Sequence, residues 1–92
     1  MSLGFQLFVT GRTTHSQRAI QVARALVADG AFKGYALEVI DVVEQPEVAE
    51  EHRVLATPTL LCPPNLPVRR LLGDLGDLTR VHRALGVVES KR

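Results

Sequence analysis

One thiol, three imidazoles and a run of hydroxyls are among the side chains in this sequence with the chemistry to act as nucleophiles, bases or ligands. Cys62 is the single cysteine, so the chain cannot form an internal disulfide, a cysteine-built zinc site or a Cys-x-x-Cys redox pair. A reactive thiolate works best at the N-terminus of a helix, where the dipole lowers its pKa. The segment that would supply such a turn, Thr13-Thr14-His15-Ser16, holds no cysteine. Cys62 instead follows Leu60-Leu61 and precedes Pro63-Pro64, a setting in which a thiol serves as a small apolar filler. His15, His52 and His82 do not share metal-ligand spacing, and neither a carboxylate nor a cysteine adjoins His15. His15 and Ser16 are neighbours in the chain rather than opposed across a site, which argues against a hydrolase triad. The expectation is a chain with no catalytic residues, no cofactor and no metal.

Charge and shape are what remain for function. Eleven Lys and Arg against 10 Asp and Glu give a formal net charge of +1, which leaves no general electrostatic attraction to nucleic acid or to an anionic membrane. Partners must then be recognised by local surfaces. Glu47, Glu50, Glu51, His52 and Arg53 form a charged stretch, and Arg18, Arg69 and Arg70 add further cations. From the residues alone, these read as a solvated helix face and ordinary surface cations. Met1-Ser2-Leu3-Gly4 has neither a basic n-region nor a long apolar core, and no later run has the length to cross a bilayer. A soluble, cytoplasmic protein with no membrane partner is expected. At 92 residues and 46% hydrophobic content the chain builds one core, so residues 1–92 are read as a single domain.

The elements that position these residues follow from periodicity. Residues 5–9 are a short run of aromatic and branched side chains stopped by Thr10-Gly11, as in a buried strand. The hydroxyls of Thr13 to Ser16 can cap a helix whose apolar face is Ala19, Ile20, Val22, Ala23, Leu26 and Val27, predicted over residues 14–29. Phe32, between Gly30 and Gly34, is a core anchor at the helix exit. Residues 35–43 read as a strand that is apolar on both faces, as a central strand would be, and parallel to the first. Pro46 opens a short helix over 46–53, with Glu47, Glu50 and Glu51 near the positive end of its dipole. Pro58, a candidate cis proline, leads into a third strand. The cluster Pro63-Pro64-Asn65-Leu66-Pro67 turns into a fourth strand, 68–72, on which Arg69 and Arg70 point to opposite faces. Asp77 caps a terminal helix carrying Leu78, Val81, Leu85 and Val88, predicted to end near residue 89. The order is βαβαββα.

That order, with Thr57-Pro58-Thr59 leading into the third strand, is the thioredoxin-like plan, and the motifs set within it resemble the KaiB family. They are Tyr35-Ala36-Leu37-Glu38-Val39-Ile40-Asp41-Val42, Gln45-Pro46, Ala49-Glu50-Glu51, Leu55-Ala56-Thr57-Pro58-Thr59-Leu60 and Val68-Arg69-Arg70-Leu71-Leu72-Gly73-Asp74-Leu75. A looser pattern, Phe8-Val9-Thr10-Gly11 with Ser16 and Arg18-Ala19, precedes them. One Thr-Pro-Thr or Gly-Asp-Leu is a weak signal, whereas several in order at the family's spacing span almost the whole chain.

The resemblance implies an α/β domain of the thioredoxin-like, fold-switched KaiB type, with the family's ground-state order βαββααβ, often tetrameric, as the alternative. Two packings of one sequence coexist only when they differ by about a few kcal/mol. The residues implied to govern the choice are Pro58, Pro63, Pro64, Pro67, Gly73, Asp74, Ala84 and Gly86. The implied function is that of a non-catalytic clock or clock-like adaptor binding a KaiC-like ring ATPase, with KaiA or a SasA-like histidine kinase as further partners. The implied contacts are Glu47, Val48, Glu50, Glu51, His52 and Arg53, together with Arg18. A thioredoxin-like thiol oxidoreductase and a structural homo-oligomer subunit are the competing readings. The sequence also departs from the family pattern. Ala84 and Gly86 stand where the family commonly has glycine and then aspartate; alanine is favoured over glycine within a helix by roughly 1 kcal/mol, and Gly86 offsets a similar amount if the helix runs through it. His52 replaces an acidic residue usual in the family, removing one negative charge. Thr13-Thr14-His15 replaces the usual Thr-Pro-Asn, and the closing residues Glu89-Ser90-Lys91-Arg92 are not the acidic run seen in many members. These departures point as readily to a reduced or different Kai system as to a standard cyanobacterial clock.

Overall fold

The computed structural model describes residues 3–73 and 75–87. Its elements are β1 (Gly4–Val9), α1 (Thr14–Ala28), a 3₁₀ turn (Gly30–Phe32), β2 (Ala36–Asp41), α2 (Pro46–Glu51), β3 (Thr59–Leu61), β4 (Arg70–Leu72) and α3 (Leu78–Ala84). The order βαβαββα is the thioredoxin-like one. The sheet runs β2-β1-β3-β4, with β1 and β2 parallel and the other two pairs antiparallel.

β1 lies inside the sheet and places apolar side chains on both faces, with Gln6 on the α2 side bonded to Glu38 of β2. Phe5, Leu7 and Val9 alternate onto one face and pack with Ala19, Leu26 and Val81 of α1 and α3. Phe8 points to the other face and packs with Ile40 and with Ala49 of α2. The sheet thus separates two apolar clusters, a larger one under α1 and α3 and a smaller one under α2. Phe32 is buried at the exit of α1, edge-on to Phe5, with ring centroids 5.5 Å apart.

Several expected features shift in the folded chain. β2 is an edge strand rather than a central one, and Ile40 is its one buried residue. Val42 and Val43 lie past its end, with Val43 exposed. α2 stops at Glu51, two residues before its predicted end, so only Glu47 lies in the first turn. Glu50 and Glu51 sit at the negative end of the dipole, the reverse of the expectation. β4 begins at Arg70, although Cys62 N–H donates to the Arg69 carbonyl at 2.8 Å and continues the hairpin by one pair. α3 ends at Ala84, because Gly86 adopts φ +80° just beyond the cap. Gly86 N–H donates to the Arg83 carbonyl at 3.1 Å and Val87 N–H to that of His82 at 2.9 Å, a Schellman closure that places Gly86 outside the helix. Residues 88 and 89 of the predicted helix lie outside the described residues, as does Asp74.

Candidate partner-binding surface

α2 begins where Asp41, the last residue of β2, organises a tight connection. Its carboxylate accepts from Val43 N–H at 2.9 Å and from Gly11 N–H at 3.2 Å, tying the loop after β1 to the loop after β2. Its carbonyl accepts from Gln45 N–H at 2.9 Å, so Pro46 arrives at the first helical position, where a missing N–H costs nothing. Ala49 is buried and Val48 half-buried against the smaller core, while Glu47, Glu50 and Glu51 face solvent. Glu47 and Glu50 rim a shallow groove of about 390 Å³ floored by Val42, Ala49 and Val54.

The last turn is unusual. Arg53 takes φ +56°, the left-handed position that glycine normally fills, and is exposed. Arg53 N–H donates to the Glu50 carbonyl at 3.1 Å and Val54 N–H to the Ala49 carbonyl at 2.9 Å, closing the helix as Gly86 closes α3. His52 is half-buried rather than a surface group. Its Nδ1 donates to the Val48 carbonyl at 3.0 Å, and its ring lies 5.7 Å from that of Phe8. Beyond the turn, Leu55 is 95% exposed, an apolar side chain beside an acidic helix that charge-pattern reasoning did not single out.

Of the paired arginines, Arg69 is exposed and Arg70 turns toward α2. The Arg70 guanidinium donates to the His52 carbonyl at 2.7 Å and to the Arg53 carbonyl at 3.1 Å. Strand alternation requires opposite faces for the two arginines but does not say which one meets a helix. Arg18 is exposed on α1, across the sheet from α2, so the structure does not bring it to the Glu47–Arg53 face. It lines a separate open groove of about 800 Å³ with His15, Pro58, Asp77 and Arg80. The Thr57–Pro58 peptide is cis; Pro63 is buried, Pro64, Pro67 and Ala84 are exposed, and Gly73 takes φ +86°.

At the turn where a thiol oxidoreductase would keep its cysteine, Ser16 is 2% exposed. Its hydroxyl accepts from Thr10 N–H at 3.1 Å and from the Thr13 hydroxyl at 2.9 Å, and donates to the Thr10 carbonyl at 3.2 Å. Thr13 caps α1 by accepting from Ser16 N–H at 3.1 Å. Cys62 is buried beyond β3, and burial pushes its thiol up to about 11. Among the described residues, no group of three or more His, Cys, Asp or Glu is placed to hold a metal, and no helix is long and apolar enough to cross a membrane.

The sequence matches the KaiB domain family over residues 6–87. It is 51% identical over 79 residues to the circadian clock oscillator protein KaiB of Prochlorococcus marinus strain MIT 9312, covering 83% of this chain and 72% of that one. The KaiB of Synechococcus sp. strain RCC307 is 49% identical over 78 residues, covering 83% and 69% respectively. Among solved structures, the N-terminal domain of Synechococcus elongatus SasA superposes with a TM-score of 0.65 at 29% identity, over 92% of this chain and 80% of that one.

Proposed function

The chain belongs to the KaiB family, and on that premise we propose that it is a non-catalytic clock or clock-like adaptor that binds a KaiC-type ring ATPase through α2. The observation that carries this reading is the display of α2. In the βαβαββα order, Glu47, Glu50 and Glu51 project from one short helix, with Arg53 on its closing turn and Leu55 exposed beside them. Val48 and His52 hold that helix from beneath rather than meeting a partner directly. Charged side chains on such a face supply directional complementarity and encounter rate, and the apolar Leu55 supplies area to desolvate. Ser16, with its hydroxyl committed to the Thr10 backbone and Thr13, and Cys62, buried and protonated, support the non-catalytic half of the reading.

KaiA or a SasA-like histidine kinase are the further partners in this proposal, the second by competition, since the SasA domain has the same fold. The setting is the cytoplasm, and no cofactor is needed. Pro58, Pro63, Pro64, Pro67, Gly73, Asp74, Ala84 and Gly86 are proposed to govern exchange with a homo-oligomeric βαββααβ state.

The test is gel filtration of the purified chain with a KaiC-type hexamer, with and without ATP. Nucleotide-dependent co-elution, lost in Glu47→Lys/Glu50→Lys, is the expected result. A stable oligomer that ignores the hexamer, or dithiol-dependent disulfide reduction through Cys62, overturns the reading.

A further inference from the structure

α2 is only 6 residues long, too short to persist without help, and two of its acidic residues lie at the dipole end that disfavours them. Its closing turn also places a non-glycine residue in the left-handed region, at Arg53. Three local features thus oppose the element that carries the proposed partner surface, and one side chain answers all three. Arg70 brings a positive charge to the negative end of α2. Its two terminal nitrogens engage the consecutive carbonyls of His52 and Arg53, which fixes the reversed turn in one orientation.

Arg70 reaches α2 from β4, a 3-residue edge strand held to the sheet by β3 in the register Leu61↔Arg70. Because successive strand residues face opposite ways, Arg70 meets the α2 carbonyls only in that register, and a slip of one residue turns it to the α1 side. We propose that Arg70 is a positioning residue that latches the C-terminal end of α2 to β4, so that the partner-binding face is ordered only while the β3–β4 hairpin is paired. The proposal rests on the reading of α2 as the partner surface and adds how that surface is regulated. Lysine is not equivalent, since one ammonium cannot span both carbonyls in the plane of a guanidinium.

Amide hydrogen exchange by NMR on the free protein tests the latch, with Arg70→Ala, Arg70→Lys and Arg69→Ala compared to wild type. The expected result is an acceleration of about tenfold at His52, Arg53 and Val54 in the alanine variant, the scale set by losing a charge-assisted hydrogen bond. The lysine variant should be intermediate, and Arg69→Ala and the Leu7 and Ile40 amides unchanged. If the alanine variant does not fold, the lysine variant carries the same comparison. Unchanged exchange at those three amides, an equal effect from Arg69→Ala, or acceleration spread evenly to β1 overturns the latch. Affinity for a KaiC-type ring ATPase should fall about tenfold in step with the exchange. Faster exchange with unaltered affinity also overturns the proposal. A wild-type chain that binds no such ATPase defeats the adaptor reading instead, while exchange in the free protein still decides the latch.

Discussion

The Ser16 hydroxyl and the Thr10 backbone bond to each other twice, Thr10 N–H donating to Ser16 Oγ at 3.1 Å and Ser16 Oγ donating to the Thr10 carbonyl at 3.2 Å. This reciprocal pair fastens the start of α1 to the end of β1, at the turn where a thiol enzyme of this fold would need a free nucleophile. The oxygen is occupied in joining two elements. Its position in the fold therefore accounts for a buried serine at this turn.

Ser16→Ala leaves the Thr10 N–H and carbonyl without that partner. A loss of about 1–3 kcal/mol is expected, read as a lower urea midpoint with an unchanged slope. Partner binding through α2 should persist at temperatures where the variant stays folded, since α2 packs on the other face of the sheet.

Cys62 gives a signed pH dependence. Burial raises its pKa from 9.0 to about 11, so the folded state holds a proton that the unfolded chain releases earlier. The stability this contributes is complete below pH 9 and declines as pH rises toward 11, by roughly 2–3 kcal/mol in total. Chemical denaturation across that window, with Cys62→Ala as the reference lacking this component, checks the prediction. Native protein near neutral pH should also react slowly with iodoacetamide, and unfolded protein quickly.

Arg53 and Gly86 close their helices in the same way with different residues, at φ +56° and +80°. Arg53→Gly should stabilise the protein by about 0.5–1 kcal/mol, because glycine takes this backbone without strain. Gly86→Ala should cost a similar amount or more. Thermal midpoints of the two variants should move in opposite directions.

Ala84 is the last residue of α3 and is exposed, so replacing it with glycine removes helix propensity and little packing. A loss of up to roughly 1 kcal/mol is expected. Because Gly86 lies outside the helix, its intrinsic cost does not offset the preference that Ala84 provides. Chemical shifts over residues 78–87 should show Ala84→Gly moving any two-state mixture toward the extended form of this segment. Unchanged populations would exclude Ala84 as a determinant of that balance.

The sequence by itself determined the order of elements, since the apolar run Phe5 to Val9 and the helical spacing along Ala19 to Val27 and Leu78 to Leu85 are properties of the local chain. It also determined that Thr13 to Ser16 carries no thiol, and its spaced motifs identified the family. The tertiary structure decided what depends on residues distant in sequence. β2 became an edge because β3 took the other side of β1. Arg70 met α2 while Arg69 faced away, because hairpin register assigns faces that composition leaves equal. His52 was drawn inward by Phe8 and by the Val48 carbonyl one helical turn earlier. α2 ended early, at Glu51, with no glycine to mark the stop, because closing bonds back into the helix and the guanidinium reaching over from β4 together hold Arg53 in a turn that local propensity disfavours.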